Sequence, residues 1–214
     1  MDTFPIETSL HHAMRSLQEV GNHINDLTQQ LERLLSKHIQ QSFQKALLRK
    51  ALSWDYSDKE NASHWFYEST YLSLPIIYSQ YPQHTFHLSI QISLYGAGMC
   101  SGQIKNTAPL LHVHFGETPL NHENTFELKQ VNNSGEDIYS FEDKILYWPP
   151  AIHGCPYQPW LFSTLLEELK SEDDLLIKVI SPCLSLLQPP IKGSALVIAT
   201  NVLDAFFSYS TRSR

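Results

Sequence analysis

The sequence is poor in charge, in cysteine and in long apolar runs. Only 17% of its 214 residues are charged, against 42% that are hydrophobic, with Phe 10, Tyr 10 and Trp 4. Such a chain can bury a full core and is not disordered throughout. The three cysteines, Cys100, Cys155 and Cys183, are odd in number and form no CxxC. That excludes a disulfide scaffold and suits a reducing compartment. No run of about 18 apolar residues occurs, so no membrane span is expected. The opening MDTFPIETSLHH lacks the basic cap and apolar core of a secretory signal, and a cytoplasmic location is the expectation. GxSxG, HExxH and P-loop motifs are all missing, which removes three common catalytic signatures.

The charge is unevenly divided. Through Ser53 the chain has six basic and five acidic residues; the remainder has nine and seventeen, a net −8. A duplex-binding surface gains affinity by neutralising phosphates, so a body at −8 with no basic run is expected not to bind nucleic acid. Lys45, Arg49 and Lys50 form the most basic spot, and a solvated helix face is its simplest reading.

A heptad is the strongest pattern. Leu10, Leu17, Ile24 and Leu31 recur every seven residues, and Ala13, Val20, Leu27 and Leu34 follow three positions later. Such a seam over nearly four heptads predicts a coiled-coil helix that pairs with itself or with a partner helix. Thr8 or Ser9 is the expected N-cap. Past Leu34 the apolar positions Ile39, Phe43 and Leu47 step by four, so the second half is expected to pack on the globular body. The register runs through Gly21, which favours one long helix over a hairpin. The expected division is a helical segment over 1–53 and an α+β globular domain over 54–214.

From Ser53 the polar SWDYSDKENA breaks the helical period. Strands are then expected at Phe86–Leu94, Leu110–Phe115, Thr125–Val131 and Lys144–Trp148, with a weaker one at Trp65–Leu74. A helix is expected from Pro159 to about Ser171, ended by SEDD, and further strands at Leu175–Ile180 and Leu196–Ala199. The fold class is therefore α+β: a long N-terminal amphipathic helix, then a mainly antiparallel sheet with at least one packed helix.

Several residue groups could bear chemistry. His112 and His114 stand two apart on a strand and so share a face, where both imidazoles could meet one metal ion. Glu117, His122, Glu123 and His153 follow downstream. The layout resembles the cupin family, small β-barrels that hold a metal with an HxH pair, a nearby Glu and a later His. The resemblance spans about 70 residues and implies a metal-dependent enzyme using His112, His114 and His153 with a divalent metal. The chain departs from the pattern in leaving only Phe115 and Gly116 before Glu117, and in placing Pro149, Pro150 and Ala151 where glycines are usual. A solvent-facing strand surface explains the same alternation more simply. Glu117 with Glu127-Leu-Lys129 resembles the carboxylate and Glu-x-Lys set of one nuclease superfamily, against which the net charge argues. GAGMCSG has Ser101 where a dinucleotide fingerprint needs glycine, so it reads as a strand connection. Cys155 beside His153 reads as a small buried residue before it reads as a nucleophile. The aromatic segments SHWFYESTY and ILYWPPAIHGCPYQPW read as core.

No complete catalytic set is present, so the expected function is non-enzymatic: an interaction module that self-associates or binds a partner through Leu10, Leu17, Ile24 and Leu31, with an acidic α+β domain as binding surface. The cupin-like metal enzyme is the second reading. An acidic inhibitor or immunity-type protein, covering a basic toxin site, is the third.

Overall fold

The computed structural model describes residues 5–42, 48–51, 53–60, 67–94, 109–121, 140–142, 145–147 and 157–187. Helix α1 is one unbroken element, Pro5–Ser42, and at about 1.5 Å per residue it is about 57 Å long. It starts ahead of Thr8 and Ser9, with Pro5 in the first position, where a missing N–H and a fixed φ suit a helix start. It also stops at Ser42, short of the boundary expected at residue 53. Leu48–Ala51 forms strand β1, which pairs with the far end of β3, so sheet pairing overrides the helical propensity of this stretch.

Seven more strands follow: β2 Asp55–Glu60, β3 Tyr67–Tyr78, β4 Phe86–Ser93, β5 Leu110–Gly116, β6 Ser140–Glu142, β7 Ile145–Tyr147 and β8 Trp160–Leu165. They make one sheet in the order β1-β3-β4-β5-β8-β7-β6, with β2 also on the outer edge of β3. Every pairing is antiparallel. The expected α+β architecture, a long helix followed by an antiparallel sheet and packed helix, is what the chain adopts. The strands read at Thr125–Val131 and Leu196–Ala199 lie outside the described residues.

Two local readings are corrected. The helix expected at Pro159–Ser171 is strand β8 followed by the 3-10 turn Leu166–Glu168. β8 lies between β5 and β7 and is buried on both faces, and a strand apolar on both sides shows no period-two signal. The strand expected at Leu175–Ile180 is helical. Ser171 accepts a hydrogen bond from the Asp174 N–H at 3.1 Å, capping α2, Glu172–Leu175. A π-helical stretch, Leu176–Ile180, and α3, Ser181–Leu187, continue directly. The acidic SEDD therefore opens a helix, as its charge at the positive end favours, instead of closing one. Pro182 lacks an N–H, and the wider π turn ahead of it relieves the clash that a proline imposes on the preceding turn.

The core lies on one face of the sheet. Leu72, Leu74 and Ile76 of β3, Phe86, Leu88, Ile90 and Ile92 of β4, Leu111, Val113 and Phe115 of β5, and Trp160 and Phe162 of β8 all point into it. Leu31, Leu34, Leu35 and Ile39 of α1 and Leu175, Val179, Ile180 and Leu187 of the last helical region close it from above. The Arg33 guanidinium bonds Glu172 at 2.7 Å, Trp54 Nε1 donates to Ser36 Oγ at 2.9 Å, and Tyr56 donates to Glu32. These contacts tie α1 to both its neighbours. At one end of the core Tyr78 stacks on Tyr157 at 3.8 Å and Phe86 on Phe115 at 5.6 Å. Leu35 is fully enclosed. Leu35→Ala is expected to lower the unfolding free energy by about 2–5 kcal/mol, read from urea denaturation followed by far-UV circular dichroism.

Candidate functional site

The second face of the sheet is built differently. Side chains alternate along a strand, so the partners of the core residues share the opposite face: Ser69, Tyr71 and Ser73 on β3, His87, Ser89, Gln91 and Ser93 on β4, His112 and His114 on β5, and Ser163 on β8. The register aligns them in rows. Tyr71, Gln91, His112 and Ser163 lie directly across from one another, as do Ser73, Ser89 and His114. Apart from the half-buried His87, this face is closed to solvent: Ser69, Ser89, Gln91, Ser93 and His112 are 0% exposed. Polar side chains are normally buried only with partners.

Much of this face supplies its own. His112 Nδ1 and Ser163 Oγ share a hydrogen bond of 2.6 Å. Ser73 Oγ lies 3.2 Å from Ser89 Oγ and 3.4 Å from His87 Nδ1. Ser89 Oγ also accepts the Leu120 N–H at 3.1 Å, holding the chain after β5 over the sheet. Among the described residues, Ser69 Oγ, Ser93 Oγ and both amide atoms of Gln91, in contrast, have no hydrogen-bond partner.

The solvent-facing surface expected for His112 and His114 is thus overturned: they are 0% and 5% exposed. The reason is that both faces of β5 are covered, so its polar face is an interior one. Of the residues read as metal ligands, His112 and His114 share this face, while His153 lies outside the described residues, as do His122, Glu123, Glu127, Lys129 and Cys155. Among the described residues no three His, Cys, Asp or Glu side chains gather in a metal-binding group. Cys183 is enclosed in the core, where burial pushes its thiol up. Gln91, Ser69 and Ser93 were missed because alternating Ser and Gln look like a wet strand face. The available signal was the lack of any Lys, Arg, Asp or Glu in FHLSIQIS and LLHVHF, since wet faces are usually charged.

A second surface lies on α1. Every residue from His11 to His23 is exposed, a length of about 20 Å. Met14, Leu17 and Val20 are 50%, 43% and 46% exposed. They continue the stripe that, two heptads on, becomes the buried Leu31 and Leu34. Leu31 therefore belongs to the chain's own core, and of the named seam residues Leu17 and Ile24 remain at or near the surface. Where the helix meets the body, a groove of about 680 Å³ runs between Ile24 and Leu27 on one side and Leu94, Leu166, Leu169 and Leu175 on the other. No described helix is long and apolar enough to cross a membrane.

Two outcomes test the polar face. A methyl group on Gly116 would sit 2.9 Å from His114 Nε2, closer than real contacts allow. Gly116→Ala is expected to destabilise by about 1–3 kcal/mol and Gly116→Ala with His114→Ala by less than the sum of the two, in a urea double-mutant cycle. Burial, reinforced by neighbouring His87, moves the His114 imidazole down from 6.5 to about 3. His87 itself is lowered by burial and partly restored by Asp55. Below pH 6.5 the unfolded chain takes up the proton that folded His114 refuses, so stability falls as pH drops through that window. The urea midpoint is expected to decrease from pH 7 to 5, above the carboxylate range, and His114→Gln to flatten that slope. Comparison with protein-family models, with curated proteins and with solved structures finds no match to this chain.

Proposed function

We propose that this chain is a protein-interaction module that self-associates through the N-terminal half of α1. The observation that carries the reading is a single helix face with two environments: enclosed at Leu31, Leu34 and Leu35, and uncovered at Met14, Leu17 and Val20. An exposed apolar stripe of this kind marks an interaction surface. A two-fold antiparallel pair centred near Gly21 would set Leu17 of one protomer against Ile24 of its partner, and Met14 against Leu27 at the mouth of the groove. Such an arrangement is self-complementary, as a closed dimer requires. Gly21 supports it, because a Cβ built there meets nothing within 4 Å, leaving room for a second helix at the crossing. Opposite charges flanking the seam, which select a parallel partner, are missing at Ser16, His23 and Gln30.

Covering three half-exposed side chains on each of two copies gives a gross gain of roughly 5–9 kcal/mol at about 1.5–3 kcal/mol for a fully buried side chain. After an association cost of at least about 4 kcal/mol, at most about 5 kcal/mol remains, which puts the dimer in the range of a few hundred micromolar or weaker. Sedimentation of the full chain over that range is expected to show a concentration-dependent dimer. Leu17→Glu with Val20→Glu is expected to be monomeric with an unchanged melting midpoint at low concentration, because neither side chain belongs to the core. A native chain that stays monomeric throughout contradicts the reading. In a Cys100→Ser, Cys155→Ser background, mixed Leu17→Cys and Ile24→Cys chains cross-link if the pair is antiparallel, whereas Leu17→Cys alone cross-links if it is parallel.

A further inference from the structure

The polar interior face is not uniform. Toward β8 and the β3–β4 turn its groups are joined by hydrogen bonds, His112 with Ser163 and Ser73 with Ser89 and His87. Toward the other end, Ser69 and Ser93 stand directly opposite each other across β3 and β4, with Gln91 next to Ser93 on the same face. All three are 0% exposed, and their four polar side-chain atoms have no hydrogen-bond partner among the described residues. A buried amide or hydroxyl without a partner loses its hydration for nothing in return. The fold gains no core from these residues either, since the apolar face alone supplies it.

Four donor and acceptor atoms buried in one patch, with no hydrogen-bond partner among the described residues, are complementary to a ligand that supplies the missing partners. We propose that Ser69, Gln91 and Ser93 form the floor of a binding site for a small molecule whose inserted part is uncharged and presents hydrogen-bond donor and acceptor groups side by side. Gln91 sets the pattern: its amide offers one donor edge and one acceptor edge at fixed spacing, as a carboxamide, a nucleobase edge or vicinal hydroxyls would require. The inserted part is uncharged because the neighbouring strands β4, β5 and β8 bring only Ser, Gln, His and aliphatic side chains to this face, and a buried ion without a counter-charge is far more expensive than a buried dipole. Asp55 stands opposite Ser73 on the edge strand β2 and is exposed, so any charge on the ligand belongs at its outer end. Tyr71, opposite Gln91, brings an aromatic ring to the same row. This site is independent of the helix surface proposed for self-association.

Saturation-transfer NMR on the full chain with acetamide, uracil and glucose tests the site, with acetate as the charged counterpart of acetamide. At least one neutral probe is expected to receive saturation, acetate none, and the response is expected to drop at least about tenfold in Gln91→Met, as loss of a paired amide would produce. Ser93→Ala, a smaller change, serves if Gln91→Met does not fold. Without probe, both variants are expected to melt a few degrees above the native chain, since each removes an unsatisfied group. Transfer to none of the three neutral probes, as a pocket holding only water would give, overturns the proposal. So does transfer that persists in both variants, or a melting midpoint lowered in both, which would show these groups to be paired inside the protein.

Discussion

Burial of the central strands on both faces is the constraint from which the rest follows. β4, β5 and β8 have neighbours on each edge and cover above and below, so apart from His87 and Leu165 at their ends no side chain on them escapes to water. Alternation then forces a choice at each position. The face under α1 is filled with aliphatic and aromatic side chains, most of which need no partners. The other is filled with Ser, Gln and His, which do. Since a buried dipole is tolerated only when paired, the polar face must either complete its own hydrogen bonds or receive them, and it does the first at Ser163, Ser89 and Ser73. The proposed site is where it does not.

The long helix obeys the same logic from outside. Its apolar stripe is continuous, but the body beneath it is not as long as the helix. Where sheet and helix overlap, Leu31, Leu35 and Ile39 vanish into the core; beyond the overlap the same stripe is bare. The polar anchors sit in the overlap too: Ser36 to Trp54, Glu32 to Tyr56, Arg33 to Glu172. Tyr56 is itself marked by this contact, its phenol moved up to about 12 by burial and by the adjacent Glu32 carboxylate. The helix is thereby fixed at one half and presented at the other.

Elements with one dominant period were legible from residue order. The heptad from Leu10 to Leu34 gave the helix, and Phe86 to Ser93 with Leu110 to Phe115 gave the two central strands. What failed had its deciding interaction far away in sequence. Leu48–Ala51 has a helical composition, but the unpaired edge of β3 captures it. Trp160–Leu165 lacks alternation because both sides are enclosed, and Leu176–Ile180 is rich in β-branched residues yet continues a helix capped by Ser171. The candidate site failed in the same way: His112 and His114 were placed together correctly on one face. Whether that face was wet depended on the cover over it, which no local pattern reports.

Tyr78 donates its hydroxyl proton to the carbonyl of Leu187, 109 residues further along the chain, and Arg33 finds Glu172 across 139. The order of synthesis is therefore the reverse of the order of protection. α1 is made first, but the surfaces that cover its buried half are completed only when α3 emerges. At about 5–20 residues per second the ribosome needs on the order of 10–30 s to travel from the end of α1 to Leu187. During that interval the whole stripe from Leu10 to Ile39 is uncovered on each nascent chain, and neighbouring chains on one messenger carry the same stripe in the same state. The helix proposed to join finished copies is thus also the segment most exposed to premature pairing, and its docking on the completed sheet is the step that ends that risk.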